Sequence, residues 1–132
     1  MTLVVDASAV VAALVDAGPA GFWVRNRLRA EELAAPSLMP FEVANVVRRH
    51  LAAGIIAATS ASDSLGELAT LPVQVAAFAP LARRAWELRE NLTIFDASYV
   101  ALAEMLGATL ITLDRRLASA PGLRCTVEYF AR

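Results

Sequence analysis

The stretch Thr2-Leu3-Val4-Val5-Asp6-Ala7-Ser8-Ala9-Val10-Val11-Ala12-Ala13-Leu14-Val15 carries two structural periods back to back. Thr2 to Val5 is a short, β-branched apolar run, the composition of a strand buried on both faces. Asp6-Ala7-Ser8 breaks the run, and Ala9 to Val15 reads as a short helix. A buried strand that feeds directly into a helix opens a crossover unit, so an α/β fold is expected from this segment alone.

The rest of the chain repeats the alternation. Helices are expected over Ala20 to Ala30, from Met39 to about Ala53 with Gly54 as the stop, and up to Ala69 after the polar Thr59 to Asp63 opening. Short strands are expected at Leu33 to Ala35, Pro72 to Val75, Thr109 to Thr112 and Cys125 to Val127. Leu81, Ala85, Leu88 and Leu92 make one apolar stripe at helical spacing. Thr93-Ile94-Phe95-Asp96 has the form of a capping box, opening a helix through Leu106 that Gly107 ends. Asp114 begins a short helix, and Pro121-Gly122 turns the chain into the last strand. The expectation is one α/β domain over residues 1–132 with a mainly parallel central sheet.

The chain has 132 residues, with 12 basic and 13 acidic side chains and one histidine, and 58% of it is hydrophobic. So apolar and weakly charged a chain is not disordered. No uncharged apolar run reaches the ~18 residues of a membrane span; the longest uncharged stretch, Leu68 to Ala82, is interrupted by Pro72 and Pro80. The amino terminus lacks a basic start and carries Asp6, so it reads as part of the folded protein and not as a leader. The single cysteine, Cys125, excludes an internal disulfide and a Cys-based zinc cage and fits a reducing cytoplasm. Every basic residue is Arg. With a net charge of −1, no global field draws nucleic acid to the protein, so binding it requires a local patch or bound cations. The apolar surplus suits a surface covered by a second subunit or a partner.

In a parallel sheet, ligands sit outside the carboxyl ends of the strands. Asp6 and Asp114 follow two such ends, and Glu42 lies in the first turn of the third helix. Asp96 joins them if the Asn91-Leu92-Thr93 break returns the chain to the same rim. Each acid has a second reading, as a helix cap or a favourable charge on a helix dipole. Together, four carboxylates on one rim would raise one another's pKa unless a cation neutralised them. Oxygen ligands without His or Cys select Mg²⁺ or Mn²⁺. Ser8, Asn45, Arg49 and Thr112 fall near these acids by spacing, with ordinary turn or surface polarity as the alternative. His50 has no acidic partner in local register and reads as a surface or interface residue. Trp23, Phe41, Trp86, Phe95 and Tyr99 read as core or dimer contacts. The chain contains no GxGxxG, GxxxxGK[ST] or GxSxG motif and no Cys/His pair for thiol catalysis.

Val4-Val5-Asp6-Ala7-Ser8-Ala9, Pro40-Phe41-Glu42-Val43-Ala44-Asn45, Ile94-Phe95-Asp96-Ala97 and Leu110-Ile111-Thr112-Leu113-Asp114-Arg115-Arg116-Leu117 come in one order along the chain. In these pieces the sequence resembles the PIN-domain ribonucleases, and within them the VapC-type toxins of bacterial toxin–antitoxin pairs. The resemblance covers essentially the whole chain. It implies a Rossmann-like α/β/α sandwich, with the family's acidic quartet at Asp6, Glu42, Asp96 and Asp114 and its nearby hydroxyl at Thr112. It also implies a Mg²⁺- or Mn²⁺-dependent endoribonuclease acting on tRNA, rRNA or mRNA, a homodimer, and an antitoxin whose tail occupies the acidic groove. Asp6, Asp96 and Asp114 are then the expected metal ligands, with Glu42 orienting the attacking water or completing a second ion's shell. Arg48, Arg49, Arg115 and Arg116 are candidates to steer the RNA backbone, or are solvated helix ends. Two rival readings are a non-catalytic RNA- or protein-binding module of the same fold and a housekeeping RNA-processing nuclease.

Overall fold

The structure, a computed structural model, describes residues Met1–Arg132. Its elements run β1 (Thr2–Val5), α1 (Ala7–Val15), α2 (Pro19–Leu28), β2 (Glu32–Pro36), α3 (Met39–Ala52), α4 (Ala58–Thr70), β3 (Val73–Ala76), α5 (Ala82–Glu87), α6 (Ile94–Leu106), β4 (Thr109–Thr112), α7 (Arg115–Ala118) and β5 (Val127–Tyr129). All strand pairs are parallel, in the order β3-β2-β1-β4-β5. Leu3, Val4, Val5, Leu110 and Ile111 are fully buried, which is why the two central strands read as continuous apolar runs. Helix α6 packs across β1, β2 and β4, and α1 packs against α2, α3 and α4.

This strand order places a crevice where the sheet reverses direction. From β1 the chain winds outward through β2 to β3, then returns past the start to add β4 on the other side of β1. The carboxyl ends of β1 and β4 therefore lie side by side at the switch point, where such sheets bind ligands. The pairing Val5↔Ile111 carries one residue further, to Asp6 beside Thr112, and the Asp6 N–H bonds the Ile111 carbonyl at 3.2 Å.

Three expected elements differ in the structure. The last strand is Val127–Tyr129 and not Cys125 to Val127, because the register Leu110↔Val127 and Thr112↔Tyr129 fixes where pairing can begin. The residues from Pro121 to Thr126 are used in returning the chain to the sheet, with Gly122 at φ +87°. The third strand is likewise displaced by one residue, to Val73–Ala76. The stripe Leu81, Ala85, Leu88 and Leu92 is buried throughout, yet it spans a 3₁₀ turn (Ala79–Leu81), the short α5 and a run of turns. Helical spacing survives because successive turns also bring residues three and four apart together: Leu88 N–H reaches Arg84 and Ala85, and Leu92 N–H reaches Leu88. No single helix is long and apolar enough to cross a membrane.

Candidate active site

Asp6 is the most enclosed of the four acids, 5% exposed. It caps α1: Oδ1 accepts from the Ala9 N–H at 2.9 Å and from Ser8 Oγ at 2.7 Å. Its other oxygen, Oδ2, accepts from Thr112 Oγ1 at 2.5 Å. Burial pushes the Asp6 carboxyl up to about 6, and the charge of Asp114 adds to this. The Thr112, Ser8 and Ala9 bonds work in the opposite direction. Thr112 is fully buried and serves both acids, because its Oγ1 also accepts from the Asp114 N–H at 2.9 Å. Ser8 closes the same network by accepting from the Leu113 N–H at 3.0 Å.

Asp114 caps α7, with Oδ1 accepting from the Arg116 N–H at 2.9 Å. Capping and site-building are therefore compatible, since each cap occupies one carboxylate oxygen. At Asp96 the cap belongs to the neighbour: Thr93 Oγ1 accepts from the Asp96 N–H at 3.1 Å, leaving the Asp96 carboxylate free of that duty. The Asn91-Leu92-Thr93 break does return the chain to the rim, because α6 leads into a parallel strand and must start at the carboxyl edge. Burial raises the Asp96 pKa, and Asp114 raises it further, against Arg116 and Thr93.

Glu42 comes from the first turn of α3. Its Oε1 accepts from Tyr99 Oη at 2.6 Å. Burial raises the Glu42 pKa and the Asp96 charge adds to it, while the Tyr99 bond lowers it. Tyr99 is 1% exposed, and its own pKa is pushed above the ordinary range by burial and by the bond to Glu42. Sequence reading placed Tyr99 among core contacts and missed this role. The available signal was its position three residues after Asp96, on the same face of α6. Tyr99→Phe is expected to lower stability by about 1–2 kcal/mol, because a half-buried carboxylate loses its donor; urea unfolding at pH 7.5 checks this.

The other expected residues fall into two groups. Ser8 and Thr112 are bonded into the acidic network. Asn45 is exposed and accepts from Arg48 Nε at 3.0 Å; Arg49 and Arg115 are exposed. Arg116 is 75% exposed, and its Nη2 stands 3.5 Å from Asp96 Oδ2 and 3.3 Å from Asp114 Oδ2. A guanidinium thus stands between two carboxylates, and it is the one cation paired with any of the four acids.

The donor set fits a hard divalent ion: it is all oxygen, the charge of Asp114 disfavours ionised Asp6 and Asp96 and that of Asp96 disfavours ionised Glu42, and a cationic side chain stands between two of them. No three His, Cys, Asp or Glu side chains are gathered tightly enough to cage an ion by themselves.

The arrangement is a crevice of acids at the switch point of a parallel sheet, and residues 3–123 match the PIN domain family. The chain belongs to the PIN-domain family. Among its relatives in that family, Ribonuclease VapC1 of Mycobacterium tuberculosis is 40% identical over 126 residues, covering 95% of each chain. The solved structure of PAE2754 from Pyrobaculum aerophilum superposes with a TM-score of 0.69 at 29% identity, covering 96% of this chain and 83% of that one. VapBC2 from Rickettsia felis, solved bound to a DNA fragment from its promoter, matches at a TM-score of 0.69 and 16% identity, covering 99% of this chain and 100% of that one. This last likeness bears on the fold alone. The PIN domain's α/β architecture is the one expected from the sequence, with a sheet that is wholly parallel.

Proposed function

We propose that this PIN-domain protein is a Mg²⁺- or Mn²⁺-dependent endoribonuclease, the toxin of a VapBC-type pair, hydrolysing RNA phosphodiester bonds at the rim of Asp6, Glu42, Asp96 and Asp114. The observation that carries the reading is the convergence of these acids at one crevice, where burial raises the pKa of Asp6, Glu42 and Asp96, and the charge of Asp114 adds to it at Asp6 and Asp96 and that of Asp96 at Glu42. The ribonuclease name of its relative VapC1 supports the choice of RNA. Asp6, Asp96 and Asp114 are the residues that would hold the ion, with water and substrate phosphate oxygens completing a shell that the three do not close by themselves. When bound, the ion supplies positive charge at the scissile phosphate and a water of lowered pKa.

The chain's own groups do the rest. Ser8 and Thr112 fix the rotamer of Asp6, and Thr112 ties Asp114 to the same strand end. Tyr99 occupies one oxygen of Glu42 and leaves the other available. A carboxylate held part-buried with a raised pKa is suited to accept a proton from the attacking water and to orient it. The Arg116 guanidinium, standing exposed at the rim beside Asp96 and Asp114, is placed to meet a non-bridging phosphate oxygen. Arg48, Arg49 and Arg115 extend exposed positive charge along α3 and α7 for the flanking backbone. Phe41, Ile55, Phe78, Trp86 and Phe95 are all more than half exposed. That apolar surface fits a protein that covers part of itself with a second copy and with an antitoxin.

The test is incubation of the purified protein with total cellular RNA. Discrete fragments are expected with Mg²⁺ or Mn²⁺ and none with EDTA. Cleavage that persists in EDTA would sink the metal-dependent reading, and no cleavage by antitoxin-free protein under any condition would favour a binding module.

A further inference from the structure

A cleft of about 330 Å³ opens beside the acidic rim, and two of its lining residues, Ser8 and Asp114, belong to the network just described. Val11, Val46 and Leu113 give it apolar walls, and His50 and Arg132 complete the lining; the Arg132 guanidinium is paired with Asp16 at 3.6 Å. Helix α3 connects the two sites. Glu42, Val46 and His50 are spaced four apart, so they form one ridge that leads from the candidate proton acceptor into the cleft. Ser8 and Val11 contribute the facing side from α1, which packs against α3. The imidazole of His50 is half-buried, with no side-chain hydrogen bond or ion pair to the rest of the chain.

We infer that this cleft is a nucleobase subsite, holding the base of a nucleotide that flanks the scissile phosphate, with His50 as its stacking and hydrogen-bonding residue. The inference rests on the ribonuclease reading for where that phosphate lies. The size is at the small end of ligand pockets, enough for one ring system and not for a folded segment. A neutral, flat ring suits apolar walls between a rim of carboxylates and an Arg132 guanidinium whose charge is already met by Asp16. Splayed-out bases in single-stranded RNA are recognised in this way, on an aromatic face with a few polar groups at the edge. The subsite would give this chain a base preference adjacent to the cut.

His50 is the only histidine, so its imidazole gives one set of proton resonances. Titrating the Asp96→Asn protein in Mg²⁺ with each of the four RNA homotetranucleotides is expected to shift those resonances saturably for at least one base. On a mapped cellular cleavage site, His50→Ala is expected to raise KM about tenfold with kcat within about twofold. His50→Phe keeps the flat face and loses the ring nitrogens, so it is expected to recover part of KM and none of the hydrogen-bonded base preference, a split that a purely structural role would not give. The subsite is overturned if wild type cleaves RNA yet no tetranucleotide moves the His50 resonances, or if His50→Ala leaves KM unchanged. A tetra-arginine peptide that shifts His50 where no RNA does also overturns it, by pointing to a protein occupant. His50 shifts with RNA in a protein that cleaves nothing would keep the subsite and reject the nuclease.

Discussion

Asp96→Asn is expected to reduce RNA cleavage by about 100-fold or more while leaving the melting temperature unchanged or slightly raised. The activity loss follows from removing one of the charges that hold the divalent ion, which interactions elsewhere in the site do not replace. The stability expectation follows from the cap. Thr93, and not the Asp96 side chain, accepts the orphan N–H at the start of α6, so the helix keeps its terminus. Losing an anion from the first helical turn costs about 0.3–1 kcal/mol. Relief of burial and of repulsion from Asp114 offsets that cost. The pH dependence has a definite sign. The folded Asp96 pKa lies above its unfolded value, so the wild type loses stability as pH rises through that interval. Asparagine has no such loss. The variant should therefore gain on the wild type between acid and neutral pH, and the two should converge once the aspartate is protonated in both states. Gel analysis of total-RNA digests and circular-dichroism melts from about pH 3.5, below the ordinary aspartate pKa, to pH 8 check both halves. A melting temperature many degrees lower at pH 8 would mean that Asp96 is there for the helix and not for a cation.

The same residue marks the limit of what the sequence discloses. Asp6 and Asp114 were legible because each follows an apolar run of strand character, and the edge of a parallel sheet is where such residues go. Glu42 was legible as an acid in the first turn of a helix that Met39-Pro40 opens. Asp96 follows a helix, and its place on the rim depends on how many residues the chain spends between α5 and α6, which no local period encodes. The partners of the acids were less visible still. Ser8 and Thr112 could be suspected from a spacing of two, but the bond from Thr112 to Asp6 depends on the register between β1 and β4, a contact across most of the chain's length. Asn45 shows the converse. By spacing it belongs with Glu42, yet the face of α3 that turns toward the crevice runs through Val46 and His50, and Asn45 pairs with Arg48 in solvent. Spacings of three and of four both fit a helix of 3.6 residues per turn; packing against α1 decides between them.

Thr112→Val should separate the two jobs of the acidic network, because it keeps the shape of a fully buried side chain and removes only its hydroxyl. Asp6 Oδ2 loses the Thr112 donor, and the Asp114 N–H loses its acceptor. Hydrogen bonds to a charged, buried partner contribute about 1.5–3 kcal/mol, so a loss of about 2–3 kcal/mol is expected at pH 8. The penalty should shrink as the solution is acidified. Thr112 is the largest of the bonds holding the Asp6 pKa down against burial, so without it the folded pKa rises further above the wild-type value of about 6. A carboxyl whose folded pKa exceeds its unfolded one is most destabilising when ionised. The difference between variant and wild type is therefore full above both folded pKa values and fades as Asp6 takes up its proton, leaving at low pH only the loss of neutral hydrogen bonds. Urea unfolding from pH 4 to pH 8 reads this directly. Cleavage at pH 8 should fall by about 10–100-fold, since Asp6 and Asp114 lose the group that fixes their relative orientation. Thr112→Ser, which restores the hydroxyl without the methyl, should recover most of the activity and only part of the stability. A valine variant that is destabilised equally at every pH would place the importance of Thr112 in packing and remove it from the acidic site.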